Sequence, residues 1–249
     1  MFSSSQESHK HSLEILNQLY DHDDFMDSIA SVADLGCGAG HDIMWWATLQ
    51  TRDDVPINHD YKCIALDRDI KQFDYVIPKN LRLVEGDFES KVLQKQVDLL
   101  WSHNSLQYSE NPAATLRHWN QLLTDGGACV VIVPQTTNIE LNRWISKTYS
   151  GQPFCFNITN LVYMLACAGF DCNDGMFMKK PDDPWLYALV YKSEHKPVKT
   201  TDTNWYELRD KGLLPRSLDR SVKTLGYARQ HDLVTRWIDQ SITDWSVVV

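Results

Sequence analysis

The chain has no stretch approaching the ~20 consecutive apolar residues that a membrane-crossing helix requires. Its opening segment, MFSSSQESHKHS, is polar and has no apolar core, so no secretory leader is expected. Positive charge is also scarce. Against 33 Asp and Glu stand 24 Lys and Arg, a formal net charge of -9, which argues against a general nucleic-acid surface because phosphate contacts need clustered cations. The six cysteines (Cys37, Cys63, Cys129, Cys155, Cys167 and Cys172) include no C-x-x-C pair, which points to reduced thiols and a cytoplasmic setting. Nine histidines are scattered along the chain, and His9-x-His11 has no further partner at ligand spacing, so no metal is expected. No segment repeats another. At 249 residues and 43% hydrophobic, the chain can bury one substantial core with an appendage.

What is present is a glycine loop. Asp34-Leu35-Gly36-Cys37-Gly38-Ala39-Gly40 places glycines at alternate positions after an apolar stretch and before a helix-like one. Without a Cβ, such a backbone can turn sharply and lie against a ligand. A dinucleotide loop reads G-x-G-x-x-G and seats a pyrophosphate on the following helix. Here the third glycine comes one residue early, and an acid stands two residues before the first. That arrangement suits a ligand with an amino acid end and a nucleoside end but no phosphate, and S-adenosylmethionine is the expected one. A glycine-rich surface turn is the alternative.

Two further runs carry acids at their ends. Tyr61 to Leu66 reads as a buried parallel strand ending in Asp67, 33 positions after Asp34 and about one strand-helix-strand unit on. Asp67 can accept from two ribose hydroxyls, or it is a solvated strand-end carboxylate. Leu81 to Glu85 ends at Gly86-Asp87-Phe88, where a carboxylate could take an adenine amino group under an aromatic ring. A tight turn with Phe88 in the core is the other reading.

In the blocks VADLGCGAG (32–40), ALDRD (65–69), EGDFES (85–90), VDLLWSHNSLQY (97–108) and LLTDGGACVVIVP (122–134), the chain resembles the class I S-adenosylmethionine-dependent methyltransferases. The match runs from about Val32 to Pro134 and is most similar to the group holding the ubiquinone-biosynthesis, malonyl-carrier-protein and trans-aconitate methyltransferases. A fainter similarity is to methyltransferase-like proteins of phages that infect marine cyanobacteria. The resemblance implies an α/β fold, a Rossmann-like, doubly wound, seven-stranded, mostly parallel sheet with an antiparallel edge hairpin. It also implies that Asp34, Gly36, Gly38 and Gly40 shape the methionine pocket, that Asp67 holds the ribose and that Asp87 and Phe88 line the adenine site. Ser102 then ends the strand beneath the sulfonium. Cys37 and Arg68 lie in the same blocks and are counted with the cofactor site.

The expected chemistry is an in-line displacement at a methyl already activated by positive sulfur, where positioning is worth ~7–11 kcal/mol. A base is needed only for a protonated nucleophile. His103 is the candidate, since an imidazole titrates near neutrality, with Gln107 and Tyr108 about one turn on to orient the acceptor. A capping or cofactor-contact role for His103 remains open. The fourth block lacks the Asn/Asp-Pro-Pro-aromatic loop of adenine-N6 and glutamine methyltransferases, the Pro-Cys of cytosine-C5 enzymes and a catechol-type acidic metal cluster. O-methylation of a carboxylate or hydroxyl on a small-molecule or carrier-bound acceptor is therefore expected, with N-methylation of an aliphatic amine also open. A cofactor-binding pseudoenzyme or partner subunit, and an aminopropyl-transferase or lyase use of the cofactor, are the competing classes.

Three segments are expected: a helical cap over 1–30, the cofactor-binding domain over 31–192 and a helical extension over 193–249. A helix over 6–20 carries Leu13, Leu16 and Tyr20 on one face, with Ile15 and Leu19 flanking, and is expected to cover the cofactor. The helix after His41-Asp42 bears Ile43, Trp46, Ala47 and Gln50. Asn111-Pro112 caps a helix with Leu116, Trp119, Leu122 and Leu123 that stops at Gly126-Gly127, ahead of a strand over 128–133. Runs over 170–178 and 185–191 flank the turn Lys180 to Pro184. Tyr149, Phe154, Phe156, Tyr163 and Met164 form a candidate acceptor wall. In the extension, Val234, Trp237, Ile238, Ile242 and Trp245 make a helical stripe suited to a lid or a homodimer arm. Between Arg209 and Arg229, six basic residues meet two acidic ones, either a solvated face or a patch for an anion.

Overall fold

The computed structural model describes residues 4–49, 61–135, 154, 156–178 and 185–215. The apolar runs become strands: β1 (Ser31–Leu35), β2 (Lys62–Asp67), β3 (Leu81–Glu85), β4 (Val97–His103), β5 (Leu123–Pro134), β6 (Phe170–Met178) and β7 (Trp185–Lys192). Among the described residues the helices are α1 (Ser4–Tyr20), α2 (Asp23–Asp27), α3 (His41–Ala47), α4 (Pro112–Leu122), α5 (Ile158–Cys167) and α6 (Trp205–Asp210). The sheet order is β3-β2-β1-β4-β5-β7-β6. β1 to β5 pair in parallel, and β7 runs antiparallel to both β5 and β6. This is the expected seven-stranded sheet with its edge hairpin.

Both faces of the sheet are covered, which is why its central strands read as nearly unbroken apolar runs. On one face Leu35, Leu100 and Val131 pack with Trp119 of α4 and Leu161 and Leu165 of α5. On the other, Val32, Leu99 and Trp101 pack with Leu16 of α1 and Ile43 and Trp46 of α3. Burying each such side chain is worth about 1.5–3 kcal/mol, so the sheet is held by two apolar layers rather than by surface pairs. Asn111 caps α4 as expected, its side-chain oxygen accepting from Ala114 N at 3.1 Å with Pro112 at the first helical position. α5 opens on a reciprocal pair in which Asn157 and Asn160 each accept from the other's backbone N–H.

Two expectations are corrected in detail. The inward stripe of α1 is Ser12, Ile15, Leu16 and Leu19, with Leu13 and Tyr20 only half-buried, so the helix is turned from the face expected. A polar residue takes an inward position because its hydroxyl has a partner there. Likewise α4 stops at Leu122 and β5 begins at once: Leu123 pairs with Val97, and the ladder resumes at Ala128 opposite Leu99. Thr124 to Gly127 bulge around Asp98, whose carboxylate accepts from Thr124 Oγ1 at 2.9 Å and Ser31 Oγ at 2.8 Å.

Residues after β7 join the first of these layers. Leu208, Leu213 and Leu214 are buried in it, Val198 N donates to Cys167 O at 2.8 Å, and Cys172 N donates to Leu213 O at 3.1 Å along the edge of β6. Gln50, Tyr149, the turn Lys180 to Pro184, the stripe Val234 to Trp245 and the basic residues from Arg216 to Arg229 lie outside the described residues.

Candidate functional site

β1 and β4 are neighbours where the strand order reverses, so the chain leaves their carboxyl ends in opposite directions and opens a crevice between them. The glycine loop forms one wall and residues 103–108 form the other. Gly36 N and Cys37 N donate to Leu66 O at 2.8 and 3.1 Å, tying the loop to the end of β2. Asp67 is part of the same tie: its carboxylate accepts from Gly38 N and Asp69 N, both at 2.9 Å. At Gly36 (φ +83°) a Cβ would stand 2.2 Å from Ser105 Oγ, and that hydroxyl donates to Gly36 O at 3.1 Å. Gly38 (φ +50°) differs, for a Cβ there would meet nothing within 4 Å. The loop is thus clamped at Gly36 and borders open space at Gly38.

Asp34 lies buried beneath the loop. Burial, then the charges of Asp42 and Asp67, hold its carboxyl well above the usual carboxylate range, against a backbone hydrogen bond from Ile43. Burial and Asp34 likewise push the Cys37 thiol up, which removes it as a nucleophile at neutral pH. One strand further out, Arg68 Nε donates to Asp87 Oδ2 at 2.9 Å, and its guanidinium carbon lies 5.8 Å from the Phe88 ring centroid. Phe88 itself is buried in the core, edge-on to Trp119 at 5.9 Å. Glu89 beside them works against burial: hydrogen bonds from Ser109, Glu110 N, Thr115 and Asn111 N hold its carboxyl below the usual range and anchor the start of α4.

At the end of β4, Ser102 is fully buried and its Oγ has no hydrogen-bond partner among the described residues. Asn104 adopts a left-handed backbone (φ 56°), and its side-chain oxygen accepts from Gln107 Nε2 at 2.6 Å. Gln107 is buried, with its Oε1 lacking a partner among the described residues, and Tyr108 is partly exposed.

Behind His103 lies Asp42, in the first turn of α3. The residue is 6% exposed, and its carboxylate meets four donors among the described residues. Oδ1 accepts from Ser12 Oγ at 2.6 Å and His9 Nδ1 at 2.8 Å. Oδ2 accepts from Trp101 Nε1 at 2.9 Å and His103 Nδ1 at 3.0 Å. Burial works to raise its pKa, but the hydrogen bonds from His103 and His9, the charge His103 carries when protonated and the hydrogen bond from Ser12 outweigh it and hold the group well below the usual range. Asp42 is therefore an anion, and His103 presents a protonated Nδ1 to it. Trp185 meets the His103 ring edge to face at 5.3 Å. His41, the residue before Asp42, lies against His9 with ring centroids 5.0 Å apart and planes tilted by 32°, and burial followed by His9 holds its imidazole below its ordinary range.

The residues expected at the site thus fall into two groups. Asp34, the glycines with Cys37, Asp67, Ser102 and His103 meet at the β1–β4 crevice, whereas Arg68, Asp87 and Phe88 gather at the ends of β2 and β3. Asp42, Ser12, His9 and Trp101 escaped the sequence reading. A serine interrupting the apolar side of α1 is the signal that could have drawn attention to them. Among the described residues no group of three or more His, Cys, Asp or Glu is placed to hold a metal, and no helix is long and apolar enough to cross a membrane.

Residues 27–188, well over half of the chain, match the family model described as a methyltransferase domain. The chain belongs to the class I S-adenosylmethionine-dependent methyltransferases. Solved structures share the methyltransferase's fold at low identity. Human N-acetylserotonin methyltransferase, crystallised with S-adenosylmethionine, has a TM-score of 0.52 at 20% identity over 70% of this chain and 50% of its own. A chain from the complex of the Haloferax volcanii Trm112 methyltransferase activator with a methyltransferase has 0.55 at 17%, over 66% and 83%. A Mesorhizobium loti S-adenosylmethionine-dependent methyltransferase has 0.50 at 17%, over 65% and 90%. No curated protein matches by sequence.

The residues of this methyltransferase fit the cofactor. The open backbone at Gly38 gives a ligand room to lie on the loop, and the buried Ser102 Oγ, without a partner among the described residues, supplies polar capacity at the end of β4. The methyltransferase is an enzyme, and S-adenosylmethionine is its cofactor.

Proposed function

We propose that the methyltransferase acts on a hydroxyl or carboxylate oxygen of a small-molecule or carrier-bound acceptor, with His103 as general base where the acceptor arrives protonated. The bound cofactor supplies an electrophilic methyl on a positively charged sulfur. Gly36, Gly38 and Gly40, with Asp34 and Cys37, hold its methionine end. Asp67 takes the ribose, Arg68 and Asp87 with Phe88 bound the adenine, and Ser102 lies under the reacting centre. The observation that carries the reading is the 3.0 Å contact of His103 Nδ1 with ionised Asp42, because it fixes the tautomer in which Nε2 accepts a proton. A carboxylate needs no base, so this pair favours a hydroxyl. Gln107 and Tyr108 orient the acceptor beside it.

His103→Ala is expected to lower kcat about 10²–10⁴-fold on a hydroxyl acceptor, with calorimetric affinity for S-adenosylmethionine unchanged. Undiminished turnover removes the base role. The acceptor itself is found by incubating the enzyme with methyl-labelled cofactor and a metabolite extract. Label released by mild alkali marks a carboxyl ester; alkali-stable label marks an ether or an amine.

The apolar stripe at Val234 to Trp245 is suited to pairing two copies, which makes the part of the 193–249 extension beyond Pro215 a homodimer arm on this reading. Because residues up to Leu214 are packed into the core, the informative comparison is between the intact chain and one ending at Pro215. Light scattering is expected to give twice the chain mass for the first and the single mass for the second. Equal oligomeric state in both would rule the arm out.

A further inference from the structure

We infer that Ser12 and His9 are positioning residues that couple the seating of α1 to the aim of His103, acting through the two oxygens of Asp42. The inference rests on His103 being the base. A carboxylate is a rigid plane, so whatever fixes one oxygen fixes the other. In Asp42, the partners of Oδ1 among the described residues both belong to α1, Ser12 at 2.6 Å and His9 at 2.8 Å, whereas Oδ2 faces β4, where Trp101 and His103 donate.

Packing does not explain Ser12. The inward stripe of α1 is otherwise Ile15, Leu16 and Leu19, and a fully buried hydroxyl in that line costs free energy unless it is hydrogen-bonded. The Ser12 hydroxyl lies 2.9 Å from the carbonyl of His9 one turn back and closer, at 2.6 Å, to Asp42 Oδ1, the charged and stronger acceptor. In turn, a carboxylate as buried as Asp42 stays ionised only while donors surround it, and half of its donors belong to α1. When α1 lifts, Oδ1 loses both of them. The anion is then less favoured, its plane is free to turn, and His103 loses the partner that keeps its proton on Nδ1. The helix expected to cover the cofactor and the base expected to serve the acceptor are thereby set by one side chain.

The test follows the Nδ1–H proton of His103 by NMR in the full chain, a readout that needs neither acceptor nor turnover. In Ser12→Ala the apolar seam of α1 is intact, and this proton is expected to exchange with water about tenfold faster, the weight of one hydrogen bond to a charged group. Ser12→Thr, which keeps the hydroxyl, is expected to restore the slow rate. His9→Leu, at a part-exposed position, supplies the same reading should Ser12→Ala fold poorly. Unchanged exchange in Ser12→Ala and His9→Leu overturns the coupling, as does a threonine variant no slower than alanine. Faster exchange in these variants beside an undiminished His103→Ala enzyme upholds the coupling and rejects the base role instead, so the two failures are told apart.

Discussion

Asp42→Asn is expected to keep its fold and turn over a hydroxyl acceptor about 10²–10⁴-fold more slowly than the parent. The amide offers one acceptor oxygen where the carboxylate offered two, and its NH2 must face either α1 or β4. Facing β4, it would confront the indole of Trp101, which can only donate. Facing α1, it meets Ser12, whose hydroxyl can turn and accept, and His9, whose ring can present a lone pair. The asparagine therefore settles with oxygen toward Trp101 and His103. His103 keeps its tautomer but loses the anion that stabilises its protonated form, so the loss falls on kcat. Replacing charge-assisted bonds by neutral ones costs about 2–4 kcal/mol of stability. A kcat within a factor of about three of the parent, well short of what a general base contributes, would contradict this account.

The pH dependence separates Asp42 from its buried neighbour. Asp42 has a depressed folded pKa, so its stabilisation is fully present above the ~3.9 of an unfolded aspartate and is lost as pH falls below that value. Asp34 has a raised one. Its contribution is present below ~3.9 and is lost as pH rises through the raised value. Urea melts across about pH 3–8 should then show the deficit of Asp42→Asn closing in acid, while Asp34→Asn gains on the parent as pH rises.

The difference between these two aspartates also marks what the sequence disclosed. Asp34 and Asp67 were legible because they sit at fixed offsets from a glycine loop and at strand ends, where local pattern and chain order place them. The strands were legible for the same reason, since a run buried on both faces is apolar throughout. Asp42 was not. It reads as an ordinary acid in the first turn of a helix, and its meaning comes from donors 30, 33, 59 and 61 positions away on α1 and β4. The same limit explains the turned face of α1, where hydrophobicity alone preferred Leu13 and Tyr20 over Ser12. It explains Gly126-Gly127 too: the helix-stop signal was real chemistry for a turn, but Asp98 drew that turn into a bulge within β5.

The three glycines of the loop are expected to fail in different ways when given a methyl group. In Gly36→Ala the new Cβ would lie 2.2 Å from Ser105 Oγ and 2.6 Å from Ser105 Cβ, on a backbone with φ +83°. Ser105 is too short to swing aside, so strain and overlap together cost about 2–4 kcal/mol of stability. Gly40→Ala meets the outer edge of the half-buried Phe73 ring at 2.2 Å, which can turn aside, so its cost is mainly the backbone strain at φ +86°, about 1–2 kcal/mol. Gly38→Ala keeps its neighbours. It has φ +50°, within reach of an L-residue at about 1–2 kcal/mol, and nothing within 4 Å to collide with. Its methyl projects into the space assigned to the cofactor, and affinity for S-adenosylmethionine is expected to fall about 10–100-fold, equivalent to about 1.4–3 kcal/mol. Thermal melts and calorimetry on the same three proteins separate the effects, and Ser105→Gly placed in the Gly36→Ala chain should return the steric share of its loss. A Gly38→Ala enzyme that binds cofactor like the parent would mean that the ligand does not lie on this loop, and the roles assigned to Asp34 and Ser102 would fall with it.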